Sequence, residues 1–174
     1  MIDFSESKLT RLIQGELSPN DFNIGSIKLW EDYTVIPLEE ITEIGLFDTA
    51  TNKYFDAVSD YTFKERLAML TTHNAFIHLA GGLSCGIANQ KITQIRIRNK
   101  YFQPFISITK NNIEKWQNKP DKVLYNDAVW RCDYAVDDII FVYQNESMYF
   151  FFDPELLTLK EIRIGKVNET YYSI

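Results

Sequence analysis

The sequence has few of the residues that form disulfide frameworks, metal sites or membrane spans. It contains two cysteines and two histidines among 174 residues. Cys85 and Cys132 form no Cys-x-x-Cys pair, so we expect free thiols in a reducing cytosol. No apolar run approaches the roughly 18 residues that a membrane span needs, and the first residues lack the basic and apolar pattern of a secretion signal. These absences predict a cytoplasmic protein that has no contact with a membrane.

Catalytic and cofactor motifs are also missing from the sequence. His73 and His78 are five positions apart, which places them on different faces of a helix or a strand. The pair Gly81-Gly82 has neither the spacing of a phosphate loop nor that of a dinucleotide fingerprint, and no calcium-loop pattern occurs. We therefore expect no cofactor, no metal and no enzymatic activity.

One enzymatic alternative remains open in the glycine-rich segment 81–86. Cys85 stands there between Ser84 and Gly86, where backbone amides could form an oxyanion site and His78 could activate the thiol. A small enzyme or ligand-binding domain would then use this segment with His78 and Cys85. The simpler interpretation is a tight glycine turn between two strands.

Aromatic residues, in contrast, are plentiful, with 12 Phe, 10 Tyr and 3 Trp. Large aromatic side chains suit half-buried strands, and Tyr and Trp are also favoured binding anchors. The net charge of −6 repels phosphate backbones, so we expect no nucleic-acid partner. Arg96, Arg98 and Lys100 alternate along a predicted strand; we interpret them as a solvated face, with anion binding as the alternative.

Periodicity and turn residues predict one α+β domain over residues 1–174, in which helices pack on one face of antiparallel sheet. The predicted helices cover 4–14, 62–70, where Thr62 and Glu65 have capping-box spacing, and a segment that begins after Thr109 and ends at 117–120. Ser18-Pro19 predicts a further helical turn, and 121–124 another turn. The predicted strands are 24–30, 33–36, 43–47, 53–58, 75–79, 92–98, 129–134, 138–144, 147–153 and 159–164. The last four of these would form an antiparallel meander after the third helix.

A short internal recurrence bears on domain organisation. The tripeptide Ile95-Arg96-Ile97 returns as Ile162-Arg163-Ile164, and each copy closes a strand pattern. A duplication would give two related halves, 1–100 and 101–174, within the one domain. Chance is the preferred interpretation, because three β-prone residues recur easily and the first half has no copy of the Lys119-Pro120 helix end.

The segment 108–123, together with Asp138-Ile139-Ile140-Phe141-Val142-Tyr143 and 159–164, resembles one half of a BamE-like or β-lactamase-inhibitor-protein-like module. Such modules place a helical hairpin against an antiparallel sheet and end a helix in Gly-Lys-Pro; here Asn118 stands where Gly is usual. The segment is also similar to small bacterial predicted immunity proteins. The resemblance implies binding without catalysis.

Composition and resemblance together predict a cytoplasmic protein-binding domain of the immunity or inhibitor type, which occludes a basic protein partner. Acidic groups would steer the encounter and aromatic groups would anchor it. We place the binding site in the segment that links the third helix to the meander. The predicted site residues are Tyr125, Asp127, Trp130, Asp133 and Tyr134. The alternative for this segment is that Trp130 belongs to the core and the acids are merely solvated.

Overall fold

A computed structural model describes residues 2–47, 60–98, 101, 107–117, 122–126, 140–145, 148–152, 156 and 158–165. At Lys110, Glu114, Gln117 and throughout 122–126 and 140–145, only the backbone is described. The predicted strands 53–58 and 129–134 both lie outside these residues.

Three α-helices and ten strands form the described part of the chain. The helices are α1 (Glu6–Ile13), α2 (Phe63–Met69) and α3 (Lys110–Gln117). The strands are β1 (Asn23–Ile24), β2 (Ile27–Lys28), β3 (Ile41–Phe47), β4 (Asn74–Leu79), β5 (Leu83–Ala88), β6 (Lys91–Arg98), β7 (Lys122–Asn126), β8 (Ile140–Asn145), β9 (Met148–Phe152) and β10 (Leu159–Gly165).

Local sequence explains why each helix begins where it does. The hydroxyl of Ser5 accepts a hydrogen bond from the Lys8 amide at the start of α1. Thr62 and Glu65 form the predicted capping box of α2, each side chain bonding to the other's backbone N–H. Thr109 accepts from the Asn112 amide at the start of α3. Each cap satisfies an amide that the first helical turn leaves without a partner.

The sheet combines two antiparallel meanders. Its strand order is β3-β4-β5-β6-β10-β9-β8-β7, while β1 and β2 form a separate small hairpin. Strands β3 to β6 form the first meander and β7 to β10 the second, and all neighbouring pairs are antiparallel. The last strands of the two meanders, β6 and β10, meet in the middle. The predicted α+β class with antiparallel sheet is therefore confirmed.

The two Ile-Arg-Ile tripeptides pair with each other at this junction. Arg96 lies opposite Arg163, and the flanking isoleucines lie opposite one another. The strand order is thus symmetrical about the Arg96–Arg163 pair. A common origin of the halves 1–100 and 101–174 stays a prediction.

The two faces of the sheet differ in chemistry. On one face the register aligns an apolar row, which packs with residues of α1 and α3 in a single buried core. That row consists of Leu79, Leu83, Ile97, Ile162 and Phe150. On the other face the register aligns a polar row, Glu43, His78, Ser84, Arg96, Arg163 and Tyr149. Because successive side chains alternate between faces, one strand set supplies both rows.

Several predicted elements were wrong. Segment 24–30 forms only the small β1–β2 hairpin, and 33–36 contains a 3₁₀ turn, Tyr33–Val35, in place of a strand. Ser18-Pro19, in contrast, opens the predicted turn: the Asn20 amide donates to the Ser18 hydroxyl and the Asp21 amide to the Ser18 carbonyl. The predicted turn 121–124 is largely strand β7. The apolar stripe of the third helix predicts that Trp116 is buried; the side chain does pack against the core but remains partly exposed.

The segment 81–86 is not a loop, because most of it belongs to strand β5. The turn is confined to three residues between the paired Leu79 and Leu83, where Gly81 and Gly82 adopt φ values of +83° and +93°. Gly86 lies inside the strand, where a Cβ would come within 3.3 Å of the Phe76 ring. Close packing within the sheet therefore requires glycine at position 86, whereas the sequence pattern interprets this residue as part of a turn.

Candidate functional site

The predicted binding residues lie largely outside the described part of the chain. Asp127, Trp130, Asp133 and Tyr134 are among the residues whose structure is not described. Tyr125 lies within β7, opposite Phe141 of β8. Its predicted place in a linking segment is wrong, since the ladder between β7 and β8 fixes its backbone.

Cys85 lies in the middle of β5 with its side chain on the apolar face. It is a free thiol with 0% exposure, and burial raises the pKa of the thiol to about 12. The thiolate is the nucleophilic form of cysteine, so almost none of it is present at neutral pH. Cys85 is therefore poorly suited to the nucleophilic role in the enzymatic alternative.

His78 and Ser84 form a hydrogen-bonded pair on the opposite, polar face. His78 Nδ1 lies 3.0 Å from Ser84 Oγ, and Ser84 is only 1% exposed. Burial lowers the pKa of His78; Arg96 and Arg98 lower it further, while Glu43 opposes the shift. The pair satisfies two polar groups within the sheet, and the buried hydroxyl has little access to a substrate.

Arg96 is not the solvated side chain that strand alternation predicts. Its guanidinium carbon lies 4.1 Å from the centroid of the Phe76 ring, and its Nε donates to Gln94 Oε1 over 2.8 Å. Arg98, two residues on, is exposed as predicted, and Lys100 lies outside the described residues. The alternating arginines therefore occupy different environments.

Arg163, on the other side of the junction, repeats the arrangement of Arg96. Its guanidinium carbon lies 4.3 Å from the Phe151 ring centroid, and its Nε and Nη2 donate to Glu161 Oε2 over 3.2 and 3.0 Å. In both copies an arginine bonds the side chain two residues earlier and stacks on a phenylalanine. The recurring tripeptide thus marks a repeated structural unit.

The connection between α1 and β3, residues 14–40, concentrates negative charge. We call it the acidic connector. It contains one lysine, Lys28, and six acidic residues, Glu16, Asp21, Glu31, Asp32, Glu39 and Glu40. Its charge of −5 accounts for nearly all of the chain's −6. Glu16, Asp21, Glu31 and Glu39 are exposed.

Backbone hydrogen bonds fasten part of the acidic connector to the beginning of β6. The Trp30 amide donates to the Ile92 carbonyl over 2.7 Å, and the Ile92 amide donates back to the Glu31 carbonyl over 2.9 Å. The Tyr33 amide donates to the Gln90 carbonyl over 3.0 Å. Beneath the segment, apolar side chains of the small hairpin are buried in the core: Phe22, Ile24, Ile27 and Leu29. The acidic side chains are therefore carried by an ordered backbone.

Asp32 strengthens this attachment. Its Oδ1 accepts from the Thr34 amide over 3.0 Å, and its Oδ2 lies 4.0 Å from Lys91 Nζ. The hydrogen bonds from Thr34 lower the pKa of Asp32, with a smaller contribution from Lys91. The same hydrogen bonds that favour the ionised carboxylate therefore also cap the 3₁₀ turn.

Trp30 is the most unusual residue of the acidic connector. Its side chain is 50% exposed, and its backbone adopts φ +72°, a left-handed conformation that costs a non-glycine residue about 1–3 kcal/mol. The indole Nε1 donates to Asn20 Oδ1 over 2.8 Å. A tryptophan is thus held at the surface in a set orientation among acidic residues.

The sequence pattern did not indicate Trp30 as a site residue, because it places Trp30 at the end of the predicted strand 24–30 and Glu31-Asp32 between that strand and the next. A usable signal was nevertheless present. The four residues Trp-Glu-Asp-Tyr at 30–33 place two acids between two aromatics, the composition expected of the binding site. The same combination of residue types occurs in the predicted site at 125–134, which lies in a different segment.

Comparisons with known proteins found no family model, no curated protein and no solved structure that matches the chain significantly. Among the residues that the structure describes, no helix is long and apolar enough to cross a membrane. Within the same residues, no group of three His, Cys, Asp or Glu side chains is placed to hold a metal ion.

Proposed function

We propose that this protein is a protein-binding domain of the immunity or inhibitor type, which uses the acidic connector to recognise and occlude a basic protein partner. The observation that carries the proposal is the concentration of charge, −5 within residues 14–40 against −6 for the whole chain. A localised negative field attracts and orients a positively charged surface before contact.

The attachment of the acidic connector supports the same function. Binding costs less free energy when the contact residues are already ordered. Three backbone hydrogen bonds to the β5–β6 hairpin hold Trp30, Glu31 and Tyr33 before any partner arrives. Exposed carboxylates on this ordered backbone favour fast association with a basic partner. The half-exposed Trp30 adds an aromatic side chain of the kind that contributes most of the binding energy in many interfaces.

A charge-matched pair of variants tests the proposal. The connector variant carries Asp21→Asn, Glu31→Gln and Glu39→Gln, whereas the control carries Asp3→Asn, Glu6→Gln and Asp60→Asn. All six positions are exposed, and both variants have the same net charge. Products of genes adjacent to the coding sequence provide the panel of partners, and association rates are measured from low to high salt.

We expect the connector variant to associate about tenfold more slowly at low salt, with the difference fading as salt screens the charges. The control should change the rate by less than about twofold. Equal slowing in both variants would show that only net charge matters. A rate independent of salt, or a panel in which no protein binds, would also count against the proposal.

A further inference from the structure

The exposed indole of Trp30 carries an inference about the partner's chemistry that rests on the proposed function and deepens it. We propose that Trp30 receives a cationic side chain, arginine or lysine, of the partner protein on the face of its indole ring.

The first support is the way in which the ring is presented. Its single polar group, Nε1, already bonds Asn20, so a partner need not satisfy it. Half of the side chain nevertheless remains exposed. The negative face of an indole attracts ammonium and guanidinium groups more strongly than other aromatic faces do.

The second support is the charge around the ring. Glu31 and Asp32 follow Trp30 directly, and Asp21 follows its hydrogen-bond partner Asn20. A purely apolar partner group would take water away from these carboxylates without replacing it, which is unfavourable. A cation keeps them compensated and also gains the attraction of the ring. Charge complementarity therefore favours arginine or lysine over an apolar side chain.

The third support is rigidity, because an ordered contact loses little freedom on binding. The Trp30 amide bonds Ile92 on one side, and Glu31 continues the ladder on the other. Three other large apolar side chains are exposed among the described residues, Leu38, Phe63 and Leu156. Leu38 and Leu156 offer no aromatic face, and Phe63 begins α2, away from the acidic connector.

Two synthetic peptides test the inference without knowledge of the natural partner. One contains several arginines separated by glycine, and the other replaces each arginine by citrulline, a neutral group of nearly the same shape. Each is titrated at low salt into full-length protein labelled with nitrogen-15 on its tryptophans. The Trp30 indole signal is assigned from the Trp30→Phe variant.

We expect the arginine peptide to shift the Trp30 indole signal and the citrulline peptide to leave it in place. Trp30→Leu should weaken arginine-peptide binding about fivefold, the effect of roughly one kilocalorie per mole of cation–π attraction. Trp30→Phe should bind with an affinity between those of the wild type and Trp30→Leu, because a phenyl face attracts cations less strongly than an indole face. Phe63→Leu serves as the control that leaves binding unchanged. Urea denaturation confirms that each variant is folded.

The outcomes separate this inference from the proposed function. Suppose that Trp30→Leu binds the arginine peptide as the wild type does, while the connector variant loses binding. The proposed role of the acidic connector is then supported and the proposed role of Trp30 is refuted. If neither variant changes binding, both proposals fail. Equal shifts of the Trp30 signal by both peptides would overturn the cationic contact, since shape alone would then explain binding.

Discussion

Two neighbouring residues of the first meander show how strongly the face of the sheet decides chemistry. Cys85 and Ser84 are adjacent in β5, yet one faces the apolar core and the other faces His78 across the strand pair. Cys85 gains a raised pKa of about 12 from burial, while Ser84 bonds the imidazole. His78, Ser84 and Cys85 could form a reactive group as judged from sequence. The alternation of side chains along the strand places Cys85 on the opposite face from the other two.

His78 predicts a pH dependence of stability. Burial holds its pKa below the ordinary 6.5, so at mildly acidic pH the unfolded chain binds a proton that the folded chain does not. Stability should therefore be full above pH 6.5 and fall as pH drops through 6.5 towards the lowered folded value. The fall should be smaller in His78→Asn, whose amide can keep a hydrogen bond to Ser84.

Melting temperatures between pH 7.5 and 5 measure this effect. His73→Asn is the matched control, because it makes the same substitution at the other histidine of the chain, whose Nδ1 lies 2.9 Å from the Thr72 hydroxyl. If both histidine variants follow the wild-type profile, other groups are responsible for any acid sensitivity.

At the scale of the element, β6 and β10 form the junction on which the large sheet depends. Arg96 and Arg163 lie directly opposite each other, an arrangement of like charges that is unfavourable unless each is compensated. Gln94 and Glu161 occupy equivalent positions two residues earlier, but only Glu161 is charged. The two halves of the junction therefore use the same geometry with different electrostatics.

This difference in charge predicts that the same substitution at Arg96 and at Arg163 lowers the free energy of unfolding by different amounts. The Arg163–Glu161 pair is only 12% and 10% exposed, so Arg163→Met should leave a buried carboxylate without its cation and lower the free energy of unfolding by about 3 kcal/mol. Arg96→Met removes a cation bonded to neutral Gln94, and should lower it by about 1 kcal/mol. Denaturant titration measures both values.

A second substitution isolates the charge. Combining Arg163→Met with Glu161→Leu should restore more than half of the loss, because both members of the buried ion pair are then neutral and no carboxylate is left without its cation. Equal losses at the two arginines, or no recovery in the double variant, would mean that stacking on phenylalanine dominates at both sites.

Across the whole molecule, charge and core are carried by different parts of the chain. The sheet and helices bury an apolar core, while residues 14–40 hold most of the net charge. Mutual repulsion of these carboxylates opposes the folded arrangement of the acidic connector. The proposed binding function of these carboxylates is therefore expected to conflict with the stability of the fold.

The connector variant should consequently have a higher urea midpoint than the wild type at low ionic strength, and the difference should vanish near 1 M salt. The control variant should show a smaller change, because its three acids are spread over other segments. A lower midpoint for the connector variant at low salt would show that these carboxylates stabilise the fold and would remove the expected conflict.

Local sequence alone determined the features that involve few neighbours. The caps at Thr62 and Thr109 depend on hydrogen bonds within one helical turn, so their residues could be read directly. Alternation of apolar residues located β4, β6 and β10, since one face of each strand is buried and the other is not. The free thiol of Cys85 was also predictable, because its spacing from Cys132 matches no disulfide framework or Cys-x-x-Cys motif.

Tertiary structure alone decided how these elements combine and where the candidate site lies. The sequence of β5 suggests a loop, because Ser84, Gly86 and two preceding glycines weaken its apolar pattern. A glycine is needed at position 86 because a Cβ there would lie 3.1 Å from Gln94 Cβ and 3.3 Å from the Phe76 ring, both on neighbouring strands. Trp30 reads as a strand residue because alternation ignores backbone φ. Its exposure comes from hydrogen bonds to residues some sixty positions later in the chain, a contact that no local pattern encodes.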